Sequence, residues 1–85
     1  MAVIDIYTTS YCPYCVRAKA LLAQKGQHFN EIKVDETPML RAQMMQRSNG
    51  GRTVPQIFIG EIHVGGCDEL YALEASNQLD PLLQA

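Results

Sequence analysis

Two cysteines stand two residues apart in Cys12-Pro13-Tyr14-Cys15. A sulfur pair at that spacing is poised for chemistry where a strand runs into a helix. Backbone N–H groups in the first turn of a helix have no partner inside it, and the helix dipole is positive there. An anionic sulfur is favoured at such a place, and the thiolate is the nucleophile of cysteine chemistry. The second cysteine falls one helical turn further on, close enough to close a disulfide with the first. Cys12 is therefore expected to attack and Cys15 to resolve. Pro13 stiffens the loop and brings no N–H, while Tyr14 sets a ring and a hydroxyl beside the sulfur.

The same pair is half of many structural zinc sites. Those sites need a second pair of ligands. The remaining candidates are Cys67, His28 and His63, which form no spaced pair, so no metal is expected. Cys67 stands alone in Gly65-Gly66-Cys67-Asp68 and reads as a half-buried residue rather than a third redox thiol. Asp68 is either a ligand group or an acid at the start of a helix. From spacing alone, Pro55 in Thr53-Val54-Pro55 reads first as a loop proline that opens a strand. His28 and His63 read as surface or strand-end residues, and the methionines as core filler.

The elements that must carry these residues follow from the apolar pattern. Val3 to Tyr7 alternates and is expected to be a strand. A helix follows from Pro13, with Val16, Ala18, Leu21 and Leu22 on its apolar face and Gly26 as its stop. His28 to Val34 is expected as a second strand. Thr37 can cap a helix that begins at Pro38 and ends near Ser48-Asn49-Gly50-Gly51. Gln56 to Ile59 and Ile62 to Val64 form a hairpin about Gly60-Glu61. Cys67 to Ala75 is a third helix, acidic at its start. Asn77 to Ala85 is a tail with a last helical turn after Pro81.

The order is βαβαββα, and the fold class is α/β. The first strand–helix–strand unit is expected as a right-handed parallel crossover, and the hairpin adds antiparallel strands to the same sheet. The result is a four-stranded mixed sheet with helices on both faces. The cysteine pair then falls at the C-terminal end of the first strand, where open α/β sheets bind their ligands.

The chain has 85 residues, which suits one domain over 1–85 and leaves no room for a separate substrate domain. Hydrophobic residues make up 47% and charged residues 19%, so a packed core is expected rather than disorder. The net charge is −2 with basic residues few and scattered, which argues against a nucleic-acid partner. Met1 to Asp5 carries no basic run, and no apolar stretch approaches a membrane span. Three cysteines do not make a disulfide scaffold. A cytoplasmic monomer without a membrane partner is expected.

Three landmarks, Tyr7 to Cys15, Thr53-Val54-Pro55 and Gly65-Gly66-Cys67-Asp68, together resemble the glutaredoxins in order and spacing over nearly the whole chain. The likeness is to the small dithiol members of the family. It implies a thioredoxin fold and glutathione-dependent reduction of disulfides, with glutathione as co-substrate and no tightly bound cofactor. It implies that Val54-Pro55 is cis and that the Val54 backbone pairs with the cysteinyl part of glutathione, flanked by Thr53. The N–H groups of Cys67 and Asp68 would take the γ-glutamyl carboxylate, with Gly66 allowing close approach, the Asp68 carboxylate taking the α-amino group, and Tyr14 alongside. Disulfide-bearing or glutathionylated proteins are the implied partners, ribonucleotide reductase among them.

One departure stands out. Many family members carry lysine three positions before the first cysteine, and this chain has Thr9. Arg41 is then expected to hold the glycine carboxylate of glutathione, with Arg52 as its rival. Two other classes of reading are weaker. Iron–sulfur scaffolds of the family usually carry Cys-Gly-Phe-Ser, without the second cysteine. Thioredoxins usually carry Trp-Cys-Gly-Pro-Cys, and this chain has no tryptophan.

Overall fold

A computed structural model describes residues 2–84. The single domain expected over 1–85 ends on Met1 and Ala85, which lie outside the described residues. The elements are β1 (Ile4–Thr8), α1 (Pro13–Gln24), β2 (Asn30–Lys33), α2 (Pro38–Arg47), β3 (Gln56–Ile59), β4 (Ile62–Gly65), α3 (Cys67–Ala75) and α4 (Leu79–Gln84). The sheet runs β2-β1-β3-β4. β1 pairs in parallel with β2, and β3 is antiparallel to both β1 and β4.

Strand alternation assigns the two faces. Ile4, Ile6, Ile57 and Ile59 are buried against Ala18, Leu21 and Leu22 of α1, Leu70 of α3, and Leu79 and Leu83 of α4. Each isoleucine and leucine among them contributes about 1.5–3 kcal/mol by leaving water. Tyr7 and Phe58 face the other way and pack with Val34 and Met44, which brings in α2. The sheet is thus covered on both sides.

The helix signals act as their chemistry predicts. Pro13 and Pro38 each sit in a first turn, where the missing N–H costs nothing. The Thr37 hydroxyl accepts from the Leu40 N–H at 3.4 Å. In α1 the buried residues are Cys15, Ala18, Leu21 and Leu22, while Val16 is 60% exposed, so Val16 leaves the expected apolar face. Met44 is fully buried, but Met39 is exposed and is not core filler. His28 and Phe29 lie outside β2, because pairing with β1 begins only at Asp5↔Asn30.

The tail forms a fuller helix than a turn after Pro81. α4 begins at Leu79, with Pro81 in its opening turn, where the backbone N–H groups have no intrahelical partner in any case. Among the described residues no helix is long and apolar enough to cross a membrane. Between β3 and β4, Ile59 faces Ile62 and Phe58 faces His63, but Ile57 faces Gly65. One extra residue on β4 makes this irregularity, and such bulges re-aim the strand that carries them. Gly65 and Gly66 follow at once, leading into α3.

Candidate active site

Cys12 is the N-cap residue of α1, in an extended conformation. Its sulfur accepts a hydrogen bond from the Cys15 N–H at 3.1 Å. A hydrogen bond from an amide to sulfur is stronger when the sulfur is anionic. Cys12 is half-buried, whereas Cys15 is only 1% exposed, and both are free thiols. Burial, with help from the neighbouring Cys12 sulfur, pushes the Cys15 thiol up to about 12, against smaller opposing contributions from the Thr9 backbone and Lys19. The two sulfurs are therefore unequal: one is accessible at a helix start, the other is kept protonated behind it.

The loop before Cys12 is fixed from the turn that follows β2. The Ser10 N–H donates to Asp35 Oδ2 at 3.1 Å, and hydrogen bonds from Ser10 hold the Asp35 carboxyl below its usual range. Further along α1, Lys19 meets Glu31 of β2 at 2.8 Å, and the Thr8 hydroxyl donates to that same carboxylate oxygen at 2.8 Å. The hydrogen bond from Lys19 is the main reason that the Glu31 carboxyl is lowered. β1, β2 and α1 are thus tied together where the cysteine pair sits.

Opposite Cys12 lies the turn into β3. The Val54–Pro55 peptide bond is cis, as the sequence resemblance implied. The Val54 carbonyl oxygen is 3.8 Å from the Cys12 sulfur. A cleft of about 170 Å³ opens beside it, lined by Tyr14, Thr53, Val54, Pro55, Gly66, Cys67, Asp68 and Glu69. Three segments far apart in sequence thus form one wall-to-wall site: the start of α1, the turn before β3 and the start of α3.

Arg41 is the exception among the residues expected to bind glutathione. It does not line the cleft, and its Nη1 donates to the Arg52 carbonyl at 3.4 Å. No lysine or arginine is among the lining residues. Cys67 is 4% exposed, more buried than expected, and burial raises its thiol above the ordinary value.

Glu69 lines the cleft without having been expected there. Its Oε1 accepts from the Gly66 N–H at 2.7 Å and so closes the start of α3. The signal was present as spacing: an N-cap position followed three residues later by glutamate is half of a capping box. Gly65 has φ +114, a left-handed conformation, and a Cβ there would lie 2.9 Å from Glu69 Oε1. A side chain at 65 is strained by that φ, and Glu69 would have to shift to admit it.

The glutaredoxin family model matches residues 4–64. A glutaredoxin of Pseudomonas aeruginosa is 56% identical over 85 residues, spanning 100% of both chains. Glutaredoxin 3 of Escherichia coli is 56% identical over 84 residues, covering 99% of this chain and 100% of the relative. The crystal structure of a buckwheat glutaredoxin–glutathione complex superposes with a TM-score of 0.88 at 34% identity, over 98% of this chain and 77% of that one.

Proposed function

This chain belongs to the glutaredoxin family and is a glutathione-dependent thiol–disulfide oxidoreductase, and we propose that Cys12 is its nucleophile and Cys15 its resolving thiol. The observation that carries these roles is the asymmetry of the pair. Cys12 sits at the helix start, takes the Cys15 N–H and lies 3.8 Å from the Val54 carbonyl beside the cleft, while Cys15 is buried and held as a thiol.

With a glutathionylated protein, the Cys12 thiolate attacks the glutathione sulfur. The new bond joins Cys12 to glutathione, and the protein leaves as its thiolate. A second glutathione thiolate then attacks that glutathione sulfur, which releases glutathione disulfide and restores the Cys12 thiolate. Cys15 takes no part in that route. With a protein disulfide, Cys12 forms a mixed disulfide with the substrate, and Cys15, losing its proton, displaces the substrate thiolate. The resulting Cys12–Cys15 disulfide is reduced by two glutathiones. Family potentials of about −200 to −230 mV lie within reach of a glutathione pool.

The buckwheat relative is a complex with glutathione, and glutathione suits the cleft of this chain. The Val54 backbone would pair with the cysteinyl unit as an added strand, between Thr53 and Pro55. The free N–H groups at Cys67 and Asp68 would take the γ-glutamyl carboxylate, beyond Gly66, at the positive end of α3. Asp68 is exposed and can take the α-amino group, and Tyr14 can cover the sulfur. Arg41 has its Nη1 on Arg52, so a role toward the glycine carboxylate requires it to leave that bond. Protein substrates would be disulfide-bearing or glutathionylated chains, met by a cytoplasmic monomer.

The test is glutathione-dependent turnover of a glutathionylated peptide by wild type, Cys12→Ser and Cys15→Ser. Wild type and Cys15→Ser are expected to turn over and Cys12→Ser to be inactive. Activity in Cys12→Ser would overturn the assignment.

A further inference from the structure

The loop between α2 and β3 presents four successive carbonyls, and a side-chain donor stands beside each of the first three. The Ser48 hydroxyl lies 3.2 Å from Gly51 O, with Met44 O its shorter acceptor at 2.7 Å. Arg41 Nη1 donates to Arg52 O at 3.4 Å. Gln56 Nε2 donates to Thr53 O at 3.0 Å and reaches the Thr53 hydroxyl at 3.4 Å. The fourth carbonyl, Val54 O, is the one 3.8 Å from the Cys12 sulfur. The loop passes so close to its supports that a Cβ on Gly51 would lie 2.6 Å from Ser48 Oγ and 2.9 Å from Gln56 Nε2.

Gln56 is only 6% exposed, an uncommon place for a long polar side chain. Its amide is fully used. With Nε2 committed to Thr53, Oε1 faces His63 Nε2 at 2.6 Å. Only a proton on His63 Nε2 satisfies both partners, and that proton is present in the neutral Nε2–H form and in the imidazolium alike. The imidazole itself is held flat against Phe58, with ring centroids 4.7 Å apart and planes 21° from parallel. Arg47 of α2 lies over the same phenyl ring at 4.1 Å. A packed aromatic thus sets His63, His63 sets the Gln56 amide, and Gln56 sets Thr53.

We propose that Gln56, oriented by His63, is a positioning residue for glutathionyl recognition: it fixes the Thr53–Val54 backbone at the angle from which Val54 adds a strand to the substrate. This rests on the reading that glutathione pairs with Val54. Neither side chain lines the cleft, so both act through Thr53. The chain of bonds serves substrate binding first: the sulfur's short hydrogen bond comes from the Cys15 N–H of α1 at 3.1 Å, and its approach to Val54 O is the longer one at 3.8 Å.

The experiment compares wild type with Gln56→Met, which keeps volume and removes both bonds, His63→Phe, which keeps the ring stack and removes the donor, and the double variant. Each is assayed with a glutathionylated peptide and, separately, for iodoacetamide alkylation of Cys12. Gln56→Met is expected to raise KM for the peptide about three- to tenfold, the range one lost hydrogen bond supports. His63→Phe should raise it about two- to fivefold on the same ground. kcat at saturating peptide and the alkylation rate should hold within about twofold, and the double variant should match Gln56→Met alone, since His63 works through it.

An unchanged KM in a folded Gln56→Met, or multiplying effects in the double variant, would overturn the proposal. Should Gln56→Met fail to fold, the exposed His63→Phe carries the test, and an unchanged KM there would equally overturn it. A peptide bearing a cysteinylglycine mixed disulfide separates this from the parent reading. If wild type does not prefer the glutathionyl peptide, the glutathione site itself is wrong. If wild type prefers it and Gln56→Met keeps the full preference, only the positioning role falls.

Discussion

The backbone N–H of Cys15 donates to the sulfur of Cys12 at 3.1 Å, while the Cys15 side chain is buried behind it. The resolving cysteine thus serves the nucleophile twice. Its amide supports the outer sulfur as it stands, and its thiol waits as a hidden second reactant. Substituting the Cys15 side chain leaves the amide in place, which is why the two roles can be separated by mutation.

That arrangement predicts strongly selective alkylation. At neutral pH, reduced protein treated with limiting iodoacetamide should take one label, on Cys12. Cys15 is pushed up to about 12, chiefly by burial, and Cys67 is also raised by burial. The thiolate is the reacting form, so both should lag by at least about tenfold. Peptide mapping by mass spectrometry reads the sites, and comparable labelling of Cys67 would contradict its buried placement.

A second prediction concerns acid stability. Burial raises the Asp5 carboxyl, but hydrogen bonds from Asn30 at 2.9 Å and Arg47 at 2.9 Å outweigh it, and the net shift is downward from 3.8. A carboxyl lowered in the folded state adds stability that is fully present above its unfolded value and is lost as pH falls through the folded one. Wild type should therefore lose stability below about pH 4. Asp5→Asn should be less stable than wild type at pH 7, and the gap should narrow toward pH 3. Urea melts at both pH values measure it, and a constant gap would count against the linkage.

Much of this was legible locally. Gln56–Ile59 and Cys67–Ala75 fall where the apolar pattern put them, because a tight turn and a double glycine punctuate them sharply. The α4 start was not legible, since a proline near a helix start marks a region and not a residue. The three site segments carry recognisable types and spacings, yet their meeting in one cleft is set by sheet order, which no short window contains. Their likeness to a family supplied that step. Where Arg41 rests was not legible, because charge says what a residue can bind, while the carbonyl of Arg52, eleven residues away, takes its Nη1 in this structure. The Gln56–His63 bond joins neighbouring strands across an irregular register, so alternation alone could not reveal it.

Gly65 gives a third prediction. Its φ of +114 and the 2.9 Å approach of Glu69 to a hypothetical Cβ mean that Gly65→Ala meets strain and a clash together. The cost should be about 1–3 kcal/mol, read as a lower urea midpoint. Because Gly65 leads directly into the α3 end of the cleft, KM for a glutathionylated peptide should rise as well. Glu69→Gln keeps an acceptor for the Gly66 N–H and should be mild. Glu69→Ala removes it and should cost about 1 kcal/mol. Equal effects of the two Glu69 substitutions would show that the cap is not what the side chain contributes.

The last prediction follows from charge. The cleft is lined by the acids Asp68 and Glu69 and by no lysine or arginine, and Arg41 is turned to the Arg52 carbonyl. Glutathione brings two carboxylates, of which the α3 N-terminus can answer one. Thr9 stands three residues before Cys12, is half-buried, and offers only a hydroxyl. Thr9→Lys would place an ammonium on the Cys12 side of the cleft, where it can meet the second carboxylate. KM for glutathione should fall about two- to fivefold in low salt, the size of a partly exposed ion pair. The gain should shrink as ionic strength rises past about 0.15 M, where charges further apart than about 8 Å are screened. A KM that does not move would mean that glutathione already finds its second cation, with Arg41 released from Arg52 on binding. Arg41→Ala would then raise KM in wild type and leave Thr9→Lys less affected, which makes the pair of variants decisive between the two cations.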